Sequence, residues 1–188
     1  LSLRVILHSV EAQVRAGAKA VFMAEPAANV VYVSPKQIED GSDIFDRYPM
    51  TADRQVKALL DRSDVDLIFH CCGELNDYMV GQFAMLRPVI LSLGSSRKLW
   101  EDARLLPKDI VLFGNLPSKH FYSDAVISRE QVERQACELL RRMDDAGHPF
   151  ILGSECDILH VPGATATIQE KVDAFVGCQC NGPHAARP

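Results

Sequence analysis

The sequence predicts an α/β fold in which parallel β-strands alternate with α-helices. Five short runs are continuously apolar, which is typical of strands buried on both faces of a sheet. Segments with apolar residues at helical spacing separate these runs. The 188 residues are too few for a complete (β/α)8 barrel, which typically needs about 250. Two architectures remain open: a doubly wound sheet, or about five units from the C-terminal portion of a TIM-type barrel.

The first half of the chain begins with an amphipathic helix. Apolar residues of LRVILHSVEAQVRA (3–16) recur at helical spacing, and Gly17 is a natural stop. The segment SPKQ (34–37) is a capping box with Pro at the first helical position, so another helix begins there. The other elements expected in this half are strands at 19–24 and 65–72 and helices at about 52–62 and 75–86.

The second half of the chain repeats this alternation. The segment SREQ (128–131) is a second capping box, which opens a long helix. Gly147 stops that helix near Ala146. The other elements expected in this half are strands at 87–94, 109–115 and 149–156 and helices at 96–106 and about 166–176.

The composition is that of an ordinary globular domain, with 47% hydrophobic and 24% charged residues. The longest apolar runs are strand-sized, so we expect no membrane span. A formal net charge of -5 without a Lys/Arg cluster argues against a nucleic-acid partner. No linker divides the chain. We therefore expect a single domain over 1–176 and an irregular tail, rich in Gly, Pro and Cys, over 177–188.

Metal-binding side chains follow two of the predicted strands. His70 and Cys72 point to one side of their strand and Cys71 to the other, because side chains alternate along a strand. Cys156 ends a later strand, and the carboxyl ends of parallel strands collect functional residues at one edge of the sheet. One imidazole and two thiolates suit Zn²⁺, and three protein ligands leave the open position of a catalytic zinc site. Alternatively, these cysteines are small hydrophobic residues of the core.

Other polar residues at strand ends are candidates for the same site. Water or a carboxylate of Glu25, Glu74 or Glu155 could occupy the fourth position, and the sequence does not rank them. Asn115 either orients a substrate by hydrogen bonds or is a turn residue after Gly114. We take Glu25 and Asn115 as the candidate catalytic residues.

The six cysteines are expected to be thiols in a reducing compartment, the cytoplasm. The adjacent pair Cys71-Cys72 bridges poorly, and a chain of this size needs no disulfides to fold. We assign Cys71 and Cys137 to the core or to contacts between elements. Cys178 and Cys180 are expected to be exposed thiols in the tail.

Three segments resemble the uroporphyrinogen decarboxylase superfamily. DIVLFGNLPSKHF and HPFILGSECDILHVPGATATIQEKVDAFV resemble its C-terminal part, where one strand ends in Gly-Asn and the next in Gly-x-x-Cys. VEAQVRAGAKAVFMAEPAANVVYVSPKQIED resembles its helix, its strand and a helix start at Ser-Pro. The resemblance covers most of 3–176 and implies a (β/α)8 barrel, of which this chain would supply roughly the last five units.

The resemblance implies a choice between two activities. Zinc-dependent corrinoid methyltransferases of the methylcobalamin:coenzyme M methyltransferase type carry a His-x-Cys…Cys zinc motif, which His70, Cys72 and Cys156 match. This implies methyl transfer between a corrinoid and a thiol-type acceptor, with Zn²⁺ as the metal. The other branch decarboxylates uroporphyrinogen without metal, and its arginine-containing segment has no counterpart here. A non-catalytic fragment or interaction domain is the third alternative.

The expected partners follow from the same resemblance. The chain has no cobalamin-binding D-x-H-x-x-G pattern, so the corrinoid would arrive on a carrier protein. A small-molecule thiol or methyl donor would be the other reactant. An incomplete barrel exposes two sheet edges, so we also expect self-association or pairing with the remainder of a longer chain.

Overall fold

Five parallel strands form one sheet in the computed structural model, which describes residues 2–178 and 180. The strands are β1 (Ala20–Ala24), β2 (Asp66–Cys71), β3 (Ile90–Leu93), β4 (Val111–Leu116) and β5 (Phe150–Ser154). Their order in the sheet is the order in the sequence, and every pair is parallel. A doubly wound sheet reverses its strand order at a switch point, whereas a barrel does not. The fold is therefore the expected partial TIM-type barrel.

Helices connect each strand to the next. Ser128 completes the expected capping box, and Gly147 ends the same helix in the left-handed conformation, with φ of 59°. The helix that begins at Pro35 lacks the side-chain hydrogen bond expected from Ser34. The helices are α1 (Ser2–Arg15), α2 (Pro35–Glu39), α3 (Thr51–Arg62), α4 (Asp77–Met85), α5 (Leu99–Asp102), α6 (Arg129–Ala146) and α7 (Thr165–Val176).

One predicted helix is much shorter than expected. The apolar pattern predicted a helix over 96–106, but α5 contains four residues. The side chain of Asp102 is completely buried and forms an ion pair with Arg97. The chain then turns, which brings Leu106 into the core. Arg97 also donates to the backbone carbonyl of Leu75 and to the carboxylate of Asp77, so tertiary contacts act on the start of this segment in addition to the local helical pattern.

The core lies between the sheet and the helices. Alternate residues of β2 point into it, and Leu67, Phe69 and Cys71 are almost completely buried there. Phe69 packs on Phe83 of α4, with ring centroids 4.7 Å apart. The assignment of Cys71 to the core is confirmed.

The opposite face of the sheet carries apolar side chains with little cover. Phe22 of β1 is 60% exposed and Ile151 of β5 is 44% exposed. A closed barrel buries this face with side chains from its remaining strands. The expectation that further strands or a second copy cover this face stays a prediction.

The cysteines of the C-terminal segment differ from expectation. Cys137 of α6 and Cys180 form a disulfide, so the prediction that both are thiols was wrong. Cys137 does contact another segment, as expected, but through a covalent bond. Cys178 is a free thiol and is half-buried rather than exposed. Gly177, Cys178 and Cys180 belong to no helix or strand, and the rest of the predicted tail lies outside the described residues.

Within the described part of the chain, no helix combines the length and the apolar character needed to cross a bilayer.

Candidate metal centre

Three side chains from two distant strand ends converge at the carboxyl edge of the sheet. The possible ligand atoms of His70, Cys72 and Cys156 all lie within 4.8 Å of one another. The two sulfur atoms are 3.5 Å apart. Tetrahedral zinc with Zn–S bonds of about 2.3 Å and Zn–N bonds of about 2.0–2.1 Å needs ligand atoms about 3.5–3.8 Å apart. The donor types suit zinc and the S–S separation lies in this range, whereas the 4.8 Å limit on the other separations exceeds it by about 1 Å.

The curvature of the sheet makes this convergence possible. His70 is in β2 and Cys72 directly follows that strand, whereas Cys156 lies two residues beyond β5. Strands β3 and β4 separate β2 from β5 in the sheet. Neighbouring strands are about 4.8 Å apart, so in a flat sheet these ends would be about 14 Å apart. The barrel-like curvature brings them within the reach of one ion.

A buried hydroxyl fixes the imidazole of His70. Nδ1 of His70 lies 2.9 Å from Oγ of Ser92, its partner in the register between β2 and β3. The ring of Phe22 stacks on the imidazole, with centroids 5.7 Å apart. Because Nδ1 is engaged, Nε2 remains for a metal. Burial and the nearby charge of Lys119 lower the pKa of His70, which favours the neutral ligand form.

The thiols of Cys72 and Cys156 lie side by side. Burial and the neighbouring Cys156 raise the pKa of Cys72, and the charge of Lys119 opposes this shift. The protonated thiol is therefore favoured at neutral pH. Metal binding releases thiol protons, so a bound divalent cation would favour the thiolate over the protonated thiol.

Lys119 is a site residue that the sequence interpretation missed. It lies in the 3₁₀ turn Ser118–His120 after β4, it is half-buried, and its charge acts on both His70 and Cys72. The hydroxyl of Ser118 donates a hydrogen bond to the backbone carbonyl of Cys156 at 3.1 Å, which fixes this turn beside the cysteine. The only sequence signal was the position of Lys119 four residues after the strand-ending Asn115.

Glu25 lies on the other side of the sheet from the three ligands. Its backbone N–H donates to the carbonyl of His70 at 2.9 Å. Its charge, however, acts on Cys71 and Asp53, on the face that the helices cover. The structure therefore does not bring the carboxylate of Glu25 to the group of His70 and the two cysteines.

Asp53 is a buried acid that the sequence interpretation did not single out. It is 3% exposed, and its Oδ2 atom has no hydrogen-bond partner among the described residues. Burial, followed by the charge of Glu25, raises the pKa of Asp53 from 3.8 to about 7. This acid lies in the first turn of α3.

The other carboxylates suggested as a fourth ligand do not join the group either. Glu74 is exposed. Glu155 is buried and accepts hydrogen bonds from the backbone N–H and the hydroxyl of Ser95. Within the described residues, the group of three contains no carboxylate. The fourth position of a tetrahedral ion would therefore be open to water or to a substrate.

The side chain of Asn115 binds the backbone of a neighbouring loop and not the three candidate ligands. Its side-chain amide donates to the backbone carbonyls of Gly94 and Arg97, at 2.7 and 2.8 Å. Both carbonyls belong to the connection between β3 and α5, so Asn115 ties that loop to β4. The structure does not place Asn115 in the group of His70, Cys72 and Cys156.

Comparisons with known proteins agree with this architecture. Residues 1–178 match the sequence model of the family described as Uroporphyrinogen decarboxylase (URO-D). A solved structure, a methyltransferase from Methanosarcina mazei, has a TM-score of 0.69 and 18% sequence identity. The match covers 93% of this chain and 47% of that chain, so this chain spans about half the length of that structure. At this identity the likeness shows the fold alone. No curated protein matches the chain.

Proposed function

Because the chain belongs to the uroporphyrinogen decarboxylase family, we propose that it carries the zinc site of a methyltransferase that moves a methyl group between a corrinoid carrier protein and a thiol-type acceptor. The observation that carries this proposal is the convergence of His70, Cys72 and Cys156 within 4.8 Å. The likeness in fold to a protein named as a methyltransferase also supports a methyltransferase activity.

The donor set favours this function over decarboxylation of a tetrapyrrole without metal. A metal-free reaction gives no role to two thiols and an imidazole held together at strand ends. Soft thiolate ligands with one imidazole are the set that selects zinc.

Each residue of the site has a distinct part in this proposal. His70, Cys72 and Cys156 would hold the ion, and Ser92 orients the imidazole through Nδ1. When bound, zinc supplies a Lewis acid that lowers the pKa of an acceptor thiol. Lys119 adds positive charge beside the ligands. Because no carboxylate of the described residues joins the group, the acceptor has access to the fourth position.

The proposal also includes further protein that covers the exposed face of the sheet. Phe22 and Ile151 lie where a complete barrel would be filled. We propose that further β/α units cover this face, either from a longer chain or from a second copy.

Metal content tests the proposal directly. Protein reconstituted with zinc is expected to hold about one ion per chain, the stoichiometry of a single site. The Cys72→Ser and Cys156→Ser variants should lose it, whereas Cys178→Ser is a matched control because its thiol lies outside the group. Consumption of methylcobalamin in the presence of a thiol then tests transfer. Tetrapyrrole binding by metal-free protein would favour the decarboxylase instead. A protein that binds neither metal nor tetrapyrrole and transfers no methyl group would favour a non-catalytic domain.

A further inference from the structure

The two sulfur atoms of the candidate metal centre are close enough for a second chemistry. Sγ of Cys72 and Sγ of Cys156 are in direct contact, 3.5 Å apart. A disulfide has an S–S bond of about 2.05 Å, so the sulfurs need to approach by about 1.5 Å. Both residues lie just beyond the ends of their strands, and the backbone carbonyl of Cys156 accepts a hydrogen bond from Ser118, so the approach of the sulfurs falls mainly to the side chains and to the backbone of Cys72.

Both thiols are reachable from solvent, and the neighbouring thiol does not compete. Cys72 and Cys156 are half-buried, so each keeps some exposed surface. Cys71 is completely buried on the opposite face of the sheet, where its thiol lies 3.8 Å from the carbonyl oxygen of Ala28. An oxidant that enters the open site therefore meets one pair of thiols only.

We propose that Cys72 and Cys156 form a reversible disulfide when no metal holds them, which makes the candidate metal centre a redox-modification site. The oxidant is a hydroperoxide, with hydrogen peroxide as the simplest member. The disulfide itself depends only on the separation of the two sulfurs. Its consequence, loss of metal binding, rests on the proposed function.

The chemistry balances in two steps. The sulfur of one cysteine attacks a peroxide oxygen, the O–O bond breaks, and a sulfenic acid and one water form. The sulfur of the other cysteine then attacks the sulfenic sulfur, and the S–O bond breaks with release of a second water. Two thiols and one hydrogen peroxide thus give one disulfide and two waters. A dithiol reductant reverses the reaction by thiol–disulfide exchange.

Oxidation and metal binding would exclude each other. The disulfide consumes two of the three ligand atoms, and the remaining ligand, His70, stays fixed by Ser92. A bound ion in turn holds both sulfurs as ligands and makes them unavailable to peroxide. Metal loss would therefore expose the pair to oxidation, and reduction would restore the site.

Peptide mapping of metal-free, reduced protein treated with one equivalent of hydrogen peroxide tests the disulfide. We expect a cross-linked peptide pair that contains Cys72 and Cys156, lacks two hydrogens, and disappears with dithiothreitol. The map must resolve this pair from Cys137–Cys180, which joins α6 to the C-terminal segment. The Cys178→Ser variant should give the same cross-link. Recovery of Cys72 and Cys156 as free thiols or as a sulfenic acid that does not go on to a disulfide, or a cross-link of either residue to Cys178, would overturn the proposal.

Zinc uptake by the same samples separates this inference from the proposed function. We expect reduced protein to bind zinc, oxidised protein to lose that binding, and dithiothreitol to restore it. Zinc-loaded protein should form the cross-link several-fold more slowly than metal-free protein. If the cross-link forms but reduced protein binds no zinc, the proposed function fails and the redox site stands. If zinc binds and peroxide forms no cross-link in metal-free protein, the redox site fails and the metal site stands.

Discussion

Nδ1 of His70 and Oγ of Ser92 lie 2.9 Å apart between neighbouring strands, and both side chains are buried. This contact selects the ring nitrogen that remains for a metal and fixes the orientation of the imidazole. A residue that touches no substrate would thereby control the affinity of the site.

Replacement of Ser92 by Ala should weaken zinc binding about 10–100-fold, because the imidazole loses the partner that orients it. The cost in the free energy of unfolding should be about 1–3 kcal/mol, because the buried Nδ1 of His70 is left without its partner. Competition with a chromophoric zinc chelator measures the affinity. The Ser92→Thr variant keeps the hydroxyl and is the matched control. Equal affinity of Ser92→Ala and wild-type protein would remove Ser92 from the site.

Replacement of Asn115 by Ala should reduce stability and leave zinc binding unchanged. The carbonyls of Gly94 and Arg97 would each lose a donor in a part-buried region, and the expected cost is about 1–3 kcal/mol. Urea unfolding measures the stability, and chelator competition measures the zinc affinity. A variant with normal stability and impaired zinc binding would instead show that Asn115 contributes to the metal centre.

Replacement of Lys119 by Met should raise the pKa of Cys72, because the charge of Lys119 opposes the upward shift caused by burial. The metal-free variant should then react more slowly with iodoacetamide at Cys72 near neutral pH, since the thiolate is the nucleophile. Lys98→Met is the control, because Lys98 is 62% exposed and pairs with Glu101. Identical alkylation rates of Lys119→Met and wild-type protein would show that Lys119 lies too far from the thiol to act on it.

Replacement of Asp53 by Asn should stabilise the protein above pH 7 but not below pH 4. Burial raises the pKa of Asp53 from 3.8 to about 7, so the folded protein retains a proton that the unfolded chain has released. Stability therefore falls as the pH rises between these values, and above pH 7 the full penalty is on the order of 4 kcal/mol. Asn stays neutral and escapes this penalty.

Urea unfolding of Asp53→Asn and wild-type protein across this pH range measures the difference. Asp61→Asn, an exposed change in the same helix, should show no comparable pH dependence. A wild-type protein as stable as Asp53→Asn at pH 8 would mean that Asp53 ionises without cost.

Local sequence patterns predicted the strands of the sheet and the side of β2 to which the candidate ligands His70 and Cys72 point. Continuous apolar runs located all five strands, and alternation along β2 predicted His70 and Cys72 on one side and Cys71 on the other. The same alternation places Glu25 on the side of Val21, which the core buries. The sequence therefore contained a signal against Glu25, because a strand-end position alone does not determine which face a side chain occupies.

Other features depend on tertiary contacts that no local pattern encodes. Lys119 acts on the site because Ser118 anchors its turn to Cys156. The disulfide joins Cys137 to Cys180 across 43 residues, which requires the C-terminal segment to lie against α6. These relationships join segments remote in sequence, so periodicity, capping and composition could not predict them.

X-ray absorption spectroscopy of the zinc-loaded protein tests the central claim most directly. The account predicts two sulfur ligands at about 2.3 Å, one imidazole nitrogen at about 2.0–2.1 Å, and one further light atom at the open position. Loss of one sulfur in Cys156→Ser and an unchanged spectrum in Cys178→Ser would assign the ligands. A zinc ion coordinated only by oxygen and nitrogen, or a spectrum that Cys156→Ser leaves unchanged, would contradict it.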